Sequence, residues 1–154
     1  RNATTRNHAE ASVVVDLIAE LLACGVPPDE IGVVAPYRAQ GRAIRNLLRK
    51  AVADAGARGR IVTDTVERMQ GQERDLVILS LTTSNPAFAA NLAEFFFQPE
   101  RLNVAITRPR TKLIIVGSSH LLHTAPEDLA EQIMVEQFQD LLASCAYRTL
   151  PYTR

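Results

Sequence analysis

Hydrophobic residues recur at helical spacing in three stretches of this chain. The first stretch follows Asn7 and Glu10, whose spacing is typical of a helix cap, and it ends at Gly25, which two prolines follow. The second stretch covers 43–52 and carries basic residues on its polar side. The third runs from about 126 to 145, with acidic residues on its polar side. These patterns predict three amphipathic helices.

Short apolar runs lie between the predicted helices. Three of them, IGVVA, LVILSL and LIIVG, are almost continuously apolar, and a fourth is rich in β-branched residues. Such runs are typical of strands that are covered on both faces in a parallel sheet. Because strands alternate with helices, the sequence predicts an α/β layered domain. The predicted strands are 31–35, 61–66, 75–81 and 112–117, with loops at 55–59 and 84–99.

The length and composition fit a single folded domain over 1–154, with a core at about 7–123 and a C-terminal helix at about 126–145. The 154 residues are 47% hydrophobic and 22% charged, as expected for a packed globule. Seventeen basic and 17 acidic residues give a formal net charge of zero. Neutrality excludes a generally basic nucleic-acid-binding protein, but it leaves room for local basic patches.

Cysteine, histidine and hydropathy patterns exclude several other classes of protein. Two cysteines are too few for a disulfide framework, so we expect a reducing, cytoplasmic setting. Three histidines without an HExxH pattern make a metal site unexpected. The longest aliphatic runs have four residues, so no membrane partner is expected. Because the chain starts at Arg1 and not at methionine, we expect it to be part of a longer protein.

Three segments place a polar turn that carries arginine at the end of an apolar strand. In the first, Pro36 ends the strand, and Tyr37, Arg38 and Gln40 follow at the carboxyl end of the predicted sheet, where open α/β sheets bind ligands. Tyrosine stacks on a nucleobase, arginine binds phosphate, and glutamine hydrogen-bonds to either. The structural alternative is that Tyr37 packs against a helix and Arg38 caps a turn.

The second segment joins the second and third predicted strands. Thr63 and Thr65 supply hydroxyl groups, and Gly71 permits a close backbone approach. Gln70 and Glu73 supply hydrogen-bonding side chains. A polar turn between buried strands is costly unless it binds a ligand or satisfies its own polar groups. The segment is therefore a candidate binding site, with an ordinary charged turn as the alternative.

The third segment is basic and leads into the last predicted strand. Residues 101–112 contain four basic residues and no acidic one. A short helix is expected over 100–107, which separates Arg101 from Arg108 by about two turns and presents Arg108 at the helix end, before Pro109. The alternative is a solvated basic face.

Together the three segments resemble motifs IV, V and VI of superfamily 1 helicases of the Upf1-like group. VVAPYRAQ, TVERMQGQERDLVILS and RLNVAITRPRTKLIIVG occur in the order that this family has. The resemblance extends from about Asn7 to Leu122. It implies the second, C-terminal RecA-like domain of such a motor, a P-loop NTPase-like fold of three layers in which helices flank a mainly parallel sheet.

The resemblance also implies residues that bind a nucleotide. Tyr37 corresponds to an aromatic residue that packs on adenine, and Arg108 to the arginine finger of motif VI. Arg38 corresponds to a motif IV arginine that reaches the γ-phosphate, with Arg42 as its alternative. Arg38 and Arg108 are thus expected to meet the β- and γ-phosphates together. The remaining candidates for nucleotide binding are Gln40, Gly71 and Glu73, the last near the ribose.

Contacts with nucleic acid are implied for the motif V turn. Thr65 matches a hydroxyl position associated with the nucleic-acid backbone, and Thr63 and Gln70 are further candidates. Gln70 lies between the two sites, and Arg101 is a candidate for coupling them. The implied partner is single-stranded DNA or RNA.

The sequence lacks the half of an ATP site that a P-loop provides. Neither Lys50 nor Lys112 is followed by serine or threonine, and the acidic pair 29–30 follows a proline turn and not an apolar strand. We therefore expect ATP and Mg²⁺ to bind only together with an upstream P-loop domain of the same polypeptide, which holds the Mg²⁺. This chain alone is expected to bind no cofactor tightly and to hydrolyse no ATP.

Two other functions stay open beside that of a helicase motor domain. A non-catalytic nucleic-acid-binding or regulatory module with a degenerate helicase fold predicts a missing or broken P-loop in the full-length protein. A stand-alone nucleotide or dinucleotide binder needs a glycine-rich first turn, and 35–41 contains only Gly41, so the sequence disfavours it.

Overall fold

The structure is a computed structural model that describes residues 5–66, 68–69, 72–82, 104, 106–118, 129–146 and 148–150. Its strands are β1 (Ile31–Val34), β2 (Val62–Asp64), β3 (Arg74–Ser80) and β4 (Pro109–Val116). In the described part these strands form one parallel sheet in the order β2-β1-β3-β4. The helices are α1 (His8–Ala23), α2 (Arg38–Ala51), α3 (Ala55–Arg60) and α4 (Leu129–Ser144).

Helices cover both faces of the sheet, which confirms the predicted three-layer α/β fold. On one face, Ile18 of α1 and Ile44 of α2 pack with Ile78 of β3. On the other face, Phe138 of α4 packs with Leu79 of β3. Since the central strands are covered on both sides, β1 is buried at every position and β3 at its last five, as the continuous apolar runs predict. Among the described helices, none is long and apolar enough to cross a membrane.

Two segments differ from the expected elements. α2 starts at Arg38, several residues before its apolar pattern begins, because the inward positions of its first turn are Gln40 and Gly41. Residues 55–60 form α3 where a loop is expected, since Asp54 accepts hydrogen bonds from the backbone N–H groups of the next turn. The loop at 84–99 and most of the helix at 100–107 lie outside the described residues, as do parts of the expected domain core.

Gly32 allows the connection between β2 and β3 to pack closely on β1. Met69 in this connection is fully buried. A Cβ atom on Gly32 would lie 3.0 Å from Met69 Cε and 3.1 Å from Arg74 Cγ, which is closer than side chains normally approach. The missing side chain therefore lets Met69 and the stem of Arg74 lie directly against the sheet.

Candidate functional site

The parallel sheet separates the predicted site residues into two groups. Because parallel strands share one direction, residues that follow a strand lie at the carboxyl end of the sheet, and residues that precede a strand lie at its amino end. Tyr37 and Arg38 follow β1, and Thr65 follows β2. Glu73 precedes β3, and Arg108 precedes β4. We call these the carboxyl-end group and the amino-end group.

The amino-end group brings together candidate residues of motifs V and VI. Arg74 of β3 pairs with Pro109 of β4, and the Arg74 N–H donates a hydrogen bond to the Arg108 carbonyl oxygen at 3.2 Å. Glu73 and Arg108 each precede a member of this pair, so they occupy neighbouring positions at one end of the sheet. Glu73 is exposed and Arg108 half-buried. The group offers a guanidinium for phosphate and a carboxylate for hydroxyl groups.

Within the described residues, Arg108 is anchored through one side-chain nitrogen. Its Nε donates a hydrogen bond to the Val104 carbonyl oxygen, four residues earlier, at 3.3 Å. Its two Nη atoms have no hydrogen bond or ion pair with residues of the described ranges. Arg110, by contrast, is paired with Asp75, with 2.9 Å between Nε and Oδ1. Arg108 thus keeps the two nitrogens that a phosphate ligand needs.

The carboxyl-end group lies where the turns after β1 and β2 meet. The Ala35 N–H donates a hydrogen bond to the Asp64 carbonyl oxygen at 3.1 Å, which joins the turn that contains Tyr37 to the one that contains Thr65. Tyr37 is half-buried against the α4 side of the core, and burial raises the pKa of its hydroxyl. Arg38 is exposed in the first turn of α2, which has no acidic residue. A basic first turn without an acid leaves the helix N-terminus open to an anion.

Arg38 does not share an end of the sheet with Arg108, contrary to the expectation that both meet the same phosphates. Val34, the last residue of β1, is level with Leu79, whereas Arg108 precedes the level of Arg74. Five residues of strand separate these levels, or about 17 Å at ~3.3 Å per residue. The sequence pattern puts all three arginine-bearing turns beside strands, but it does not distinguish the two ends of a strand. Arg108 precedes its strand, so the strand direction puts it at the amino end.

Gln40 is a buried link, which contradicts the prediction that it binds a nucleotide. It has no exposed surface. Its Oε1 accepts a hydrogen bond from the Asn7 N–H at 2.8 Å, and its Nε2 donates to the Asn7 carbonyl oxygen at 3.2 Å and to Ser80 Oγ at 3.1 Å. Both amide donors and the oxygen are therefore engaged. Gln40 instead connects the start of α1, the first turn of α2 and the end of β3.

Thr63 is buried as well, which contradicts its predicted contact with nucleic acid. Its residue is 7% exposed, and its hydroxyl oxygen is buried without a hydrogen-bond partner among the described residues. Its carbonyl oxygen accepts a hydrogen bond from Arg45 Nη1 at 2.6 Å, which fixes α2 to β2. Thr65 is half-buried, so it is the more accessible of the two hydroxyl candidates.

The sequence reasoning missed a buried carboxylate at the carboxyl end of β3. Glu10 is 6% exposed, and its Oε1 accepts hydrogen bonds from the Ser80 hydroxyl and the Thr82 N–H, both at 2.6 Å. Thr82 has φ +72°, a left-handed conformation that β-branched residues rarely adopt. Burial raises the pKa of Glu10 to about 7, although the hydrogen bonds from Ser80 and the backbone lower it. Its Oε2 is buried without a partner in the described structure.

The spacing of residues along α1 indicates that the Glu10 side chain faces the core. The capping pattern is half correct, because Asn7 Oδ1 accepts a hydrogen bond from the Glu10 N–H at 3.1 Å. The Glu10 carboxylate, however, does not bond back to Asn7. Glu10 lies four residues before Val14 and eight before Ile18, both fully buried, so it belongs to the inward stripe of α1.

Of the remaining predicted site residues, the structure describes Arg42 alone. Arg42 is exposed on α2. In the described ranges no group of three or more histidine, cysteine, aspartate or glutamate residues suits a metal ion. The candidates that lie outside the described residues are Gln70, Gly71 and Arg101.

Comparison with known proteins identifies the family to which the chain belongs. A family described as AAA domain matches residues 1–120, which include the four strands and both groups of candidate residues. The chain belongs to this family, within the Upf1-like superfamily 1 helicases. The resemblance of the three motifs is therefore confirmed at the level of the family.

Similar curated proteins are much longer than this helicase-family chain. It is 39% identical over 116 residues to DNA polymerase alpha-associated DNA helicase A of Saccharomyces cerevisiae, covering 75% of the chain and 16% of that protein. It is 36% identical over 125 residues to the mouse DNA replication ATP-dependent helicase/nuclease DNA2, covering 81% and 11%. It is also 36% identical over 121 residues to an Arabidopsis thaliana homologue of regulator of nonsense transcripts 1, covering 78% and 9%. The chain thus spans about a sixth or less of these relatives.

Proposed function

We propose that this chain is the C-terminal motor domain of an ATP-dependent DNA or RNA helicase. It supplies an arginine finger and nucleic-acid contacts to an ATP site that an upstream P-loop domain of the same polypeptide completes. Two of the similar proteins named above are helicases that act on DNA by their names, and each is several times longer than this chain. The length of these relatives leaves room for the second domain that the proposal needs.

The observation that carries the proposal is the adjacency of Glu73 and Arg108 at the amino end of the sheet. The pairing of β3 with β4 makes Glu73 of motif V and Arg108 of motif VI neighbours along the backbone at this end, and the Arg108 Nη atoms have no partner in the described structure. These donors fit ATP, with Arg108 on phosphate and Glu73 on the ribose. When bound, ATP supplies the phosphoryl group whose transfer to water drives the motor, and Mg²⁺ belongs to the P-loop domain. Arg108 stabilises negative charge that develops on the phosphate.

We assign the carboxyl-end group to nucleic acid. Thr65 is the motif V hydroxyl, and Tyr37 and Arg38 lie at the same end of the sheet. An aromatic ring with a basic side chain is the combination by which proteins hold a single strand, through stacking and phosphate contacts. Because this end lies about 17 Å from the level of Arg108 along the strands, this assignment replaces the expected contact of Tyr37 with adenine.

Arg38→Ala in the full-length protein tests this assignment. We expect the concentration of single-stranded nucleic acid that half-maximally stimulates ATP hydrolysis to rise severalfold, because one phosphate contact is lost. The maximal rate at saturating nucleic acid is expected to stay within about twofold. Arg60→Ala, an exposed arginine on α3, is the control. If the maximal rate of ATP hydrolysis falls while the half-maximal concentration of nucleic acid is unchanged, the result indicates that Arg38 contacts the nucleotide and contradicts this assignment.

The division of the ATP site between two domains is tested with the chain itself. The purified 154-residue chain is expected to hydrolyse no ATP in the presence or absence of single-stranded DNA or RNA, because no lysine in it is followed by serine or threonine to form a P-loop. The full-length protein is expected to show hydrolysis that nucleic acid stimulates. Robust stimulated turnover by the purified chain contradicts the proposal. An inactive full-length protein that still binds nucleic acid favours the non-catalytic module.

A further inference from the structure

An open groove runs along α2 on the flank of the sheet. It has a volume of about 430 Å³, within the range of small-ligand sites. Its charged and polar walls are Arg6, His8, Arg42, Asn46 and Lys50, and alanine and leucine side chains of α2 form its floor. All five wall residues are exposed. The groove is therefore a solvent-accessible surface with an apolar base and basic sides.

The groove concentrates positive charge that the protein itself does not neutralise. Among the residues that the structure describes, no acidic one lines it. α2 contains five basic residues and no acidic one between Arg38 and Ala51. Arg45 of the same helix is used internally, since it donates to the Thr63 carbonyl oxygen. Arg6, Arg42 and Lys50, however, form no ion pair within the described part of the chain. Like charges gathered on one surface repel each other, and a bound anion removes this repulsion.

The shape of the groove suits a chain of phosphates better than one small anion. Arg42 and Lys50 are eight residues apart on α2, or about 12 Å along the helix axis at ~1.5 Å per residue. This length exceeds a single phosphate group. Arginine binds phosphate through its planar fork, the Asn46 amide can hydrogen-bond to sugar and phosphate oxygens, and the apolar floor accommodates the sugars. The groove also begins near the first turn of α2, which contains Arg38 of the carboxyl-end group.

We propose that this groove is an additional binding site for the sugar-phosphate backbone of single-stranded nucleic acid, which continues from the carboxyl end of the sheet along α2. The nucleic-acid class of the ligand rests on the proposed function, but the site itself requires no ATP and no upstream domain. Its test therefore uses the 154-residue chain without nucleotide. Failure of this test leaves the ATP-hydrolysis tests of the proposed function unaffected.

The test compares two charge-reversal variants with the same net charge. Arg42→Glu with Lys50→Glu alters the groove, and Arg60→Glu with Arg148→Glu alters exposed bases outside it. The dissociation constant for a fluorescently labelled 20-nucleotide oligothymidylate is measured at several salt concentrations. The groove variant is expected to bind the oligonucleotide at least ~10-fold more weakly. Its slope of log association constant against log salt concentration is expected to be shallower by about 1.4, the value for two phosphate contacts on a single strand. The control variant is expected to bind within about threefold of the unmodified chain.

Four outcomes overturn the proposal. Equal weakening in both variants shows an effect of net charge alone, and unchanged affinity of the groove variant shows that the groove does not bind the oligonucleotide. Displacement of the labelled oligonucleotide by polyglutamate as effectively as by unlabelled oligonucleotide of equal charge indicates an acidic protein ligand. Arg42→Gln with Lys50→Gln, together with urea unfolding midpoints, separates loss of binding from loss of folding. A folded glutamine variant that binds as tightly as the unmodified chain also contradicts the proposal.

Discussion

Replacing Arg108 with alanine in the full-length protein is expected to lower the maximal rate of ATP hydrolysis by about 10³-fold, the lower range for loss of an arginine finger. ATP affinity is expected to change by no more than a few-fold. The physical reason is that a finger acts on charge that develops in the transition state, whereas the P-loop domain supplies most of the ground-state binding. Steady-state hydrolysis and equilibrium binding of a labelled nucleotide measure the two quantities separately.

Arg110→Ala is the matched control for this substitution. Arg110 lies two residues further along the chain and is 59% exposed in its pair with Asp75. Loss of an exposed ion pair costs at most ~1 kcal/mol of stability, and turnover is expected to stay within about twofold. The stability cost of Arg108→Ala is similarly small, because within the described part of the chain its side chain makes one hydrogen bond, to the Val104 carbonyl oxygen. Unchanged turnover in Arg108→Ala, or an equal loss in Arg110→Ala, excludes Arg108 as the finger.

The neighbouring positions of Arg108 and Glu73 illustrate what the sequence was able to predict and what it was not. The motifs identify both residues, but they are 35 positions apart, and only strand pairing brings them together. The apolar runs do not predict the strand order β2-β1-β3-β4, because each run indicates only that its strand is covered on both faces. The layered architecture was therefore predictable, whereas the two ends of the site depended on strand order and direction.

The roles of polar residues that face the core were also not predictable from the sequence. Gln40 and Thr63 lie beside motif residues in the sequence, so their polarity favours a role in ligand binding. The position of Glu10, three residues after Asn7, favours a role in capping the helix. In each case burial decides the role, and burial depends on what the neighbouring element presents. Gln40 and Glu10 both meet Ser80, which is 70 residues from Glu10 and whose hydroxyl links the two side chains.

The Glu10–Ser80–Gln40 network also has a mechanical consequence. It joins the start of α1, the first turn of α2 and the residues just after β3. The Thr82 N–H bond to Glu10 helps to hold Thr82 at φ +72°, which costs of order 1–3 kcal/mol for a residue of this type. Arg38 in the same first turn of α2 is thereby set on a rigid base, as expected for a residue that positions a ligand.

Deprotonation of Glu10 is expected to make the protein less stable as the pH rises. Burial raises the pKa of Glu10 in the folded state to about 7 from an ordinary value of 4.5, so the folded protein holds this proton more tightly than the unfolded chain. The stabilisation is complete below about pH 4.5, declines as the pH rises towards 7, and is lost above it. The difference corresponds to about 3 kcal/mol of unfolding free energy.

Glu10→Gln isolates this effect, because glutamine resembles the protonated carboxyl group and does not titrate. Relative to the unmodified chain, we expect the variant to have similar stability near pH 4.5 and to be more stable by up to about 3 kcal/mol at pH 8. Urea unfolding midpoints between pH 4.5 and 8.5 measure the difference. Asp16→Asn, which removes an exposed carboxylate from the same helix, is the matched control. A Gln variant that keeps the original pH profile contradicts a buried and largely desolvated Glu10. A variant that is markedly less stable at pH 8 contradicts it as well, because the carboxylate charge then stabilises the fold by more than its burial costs.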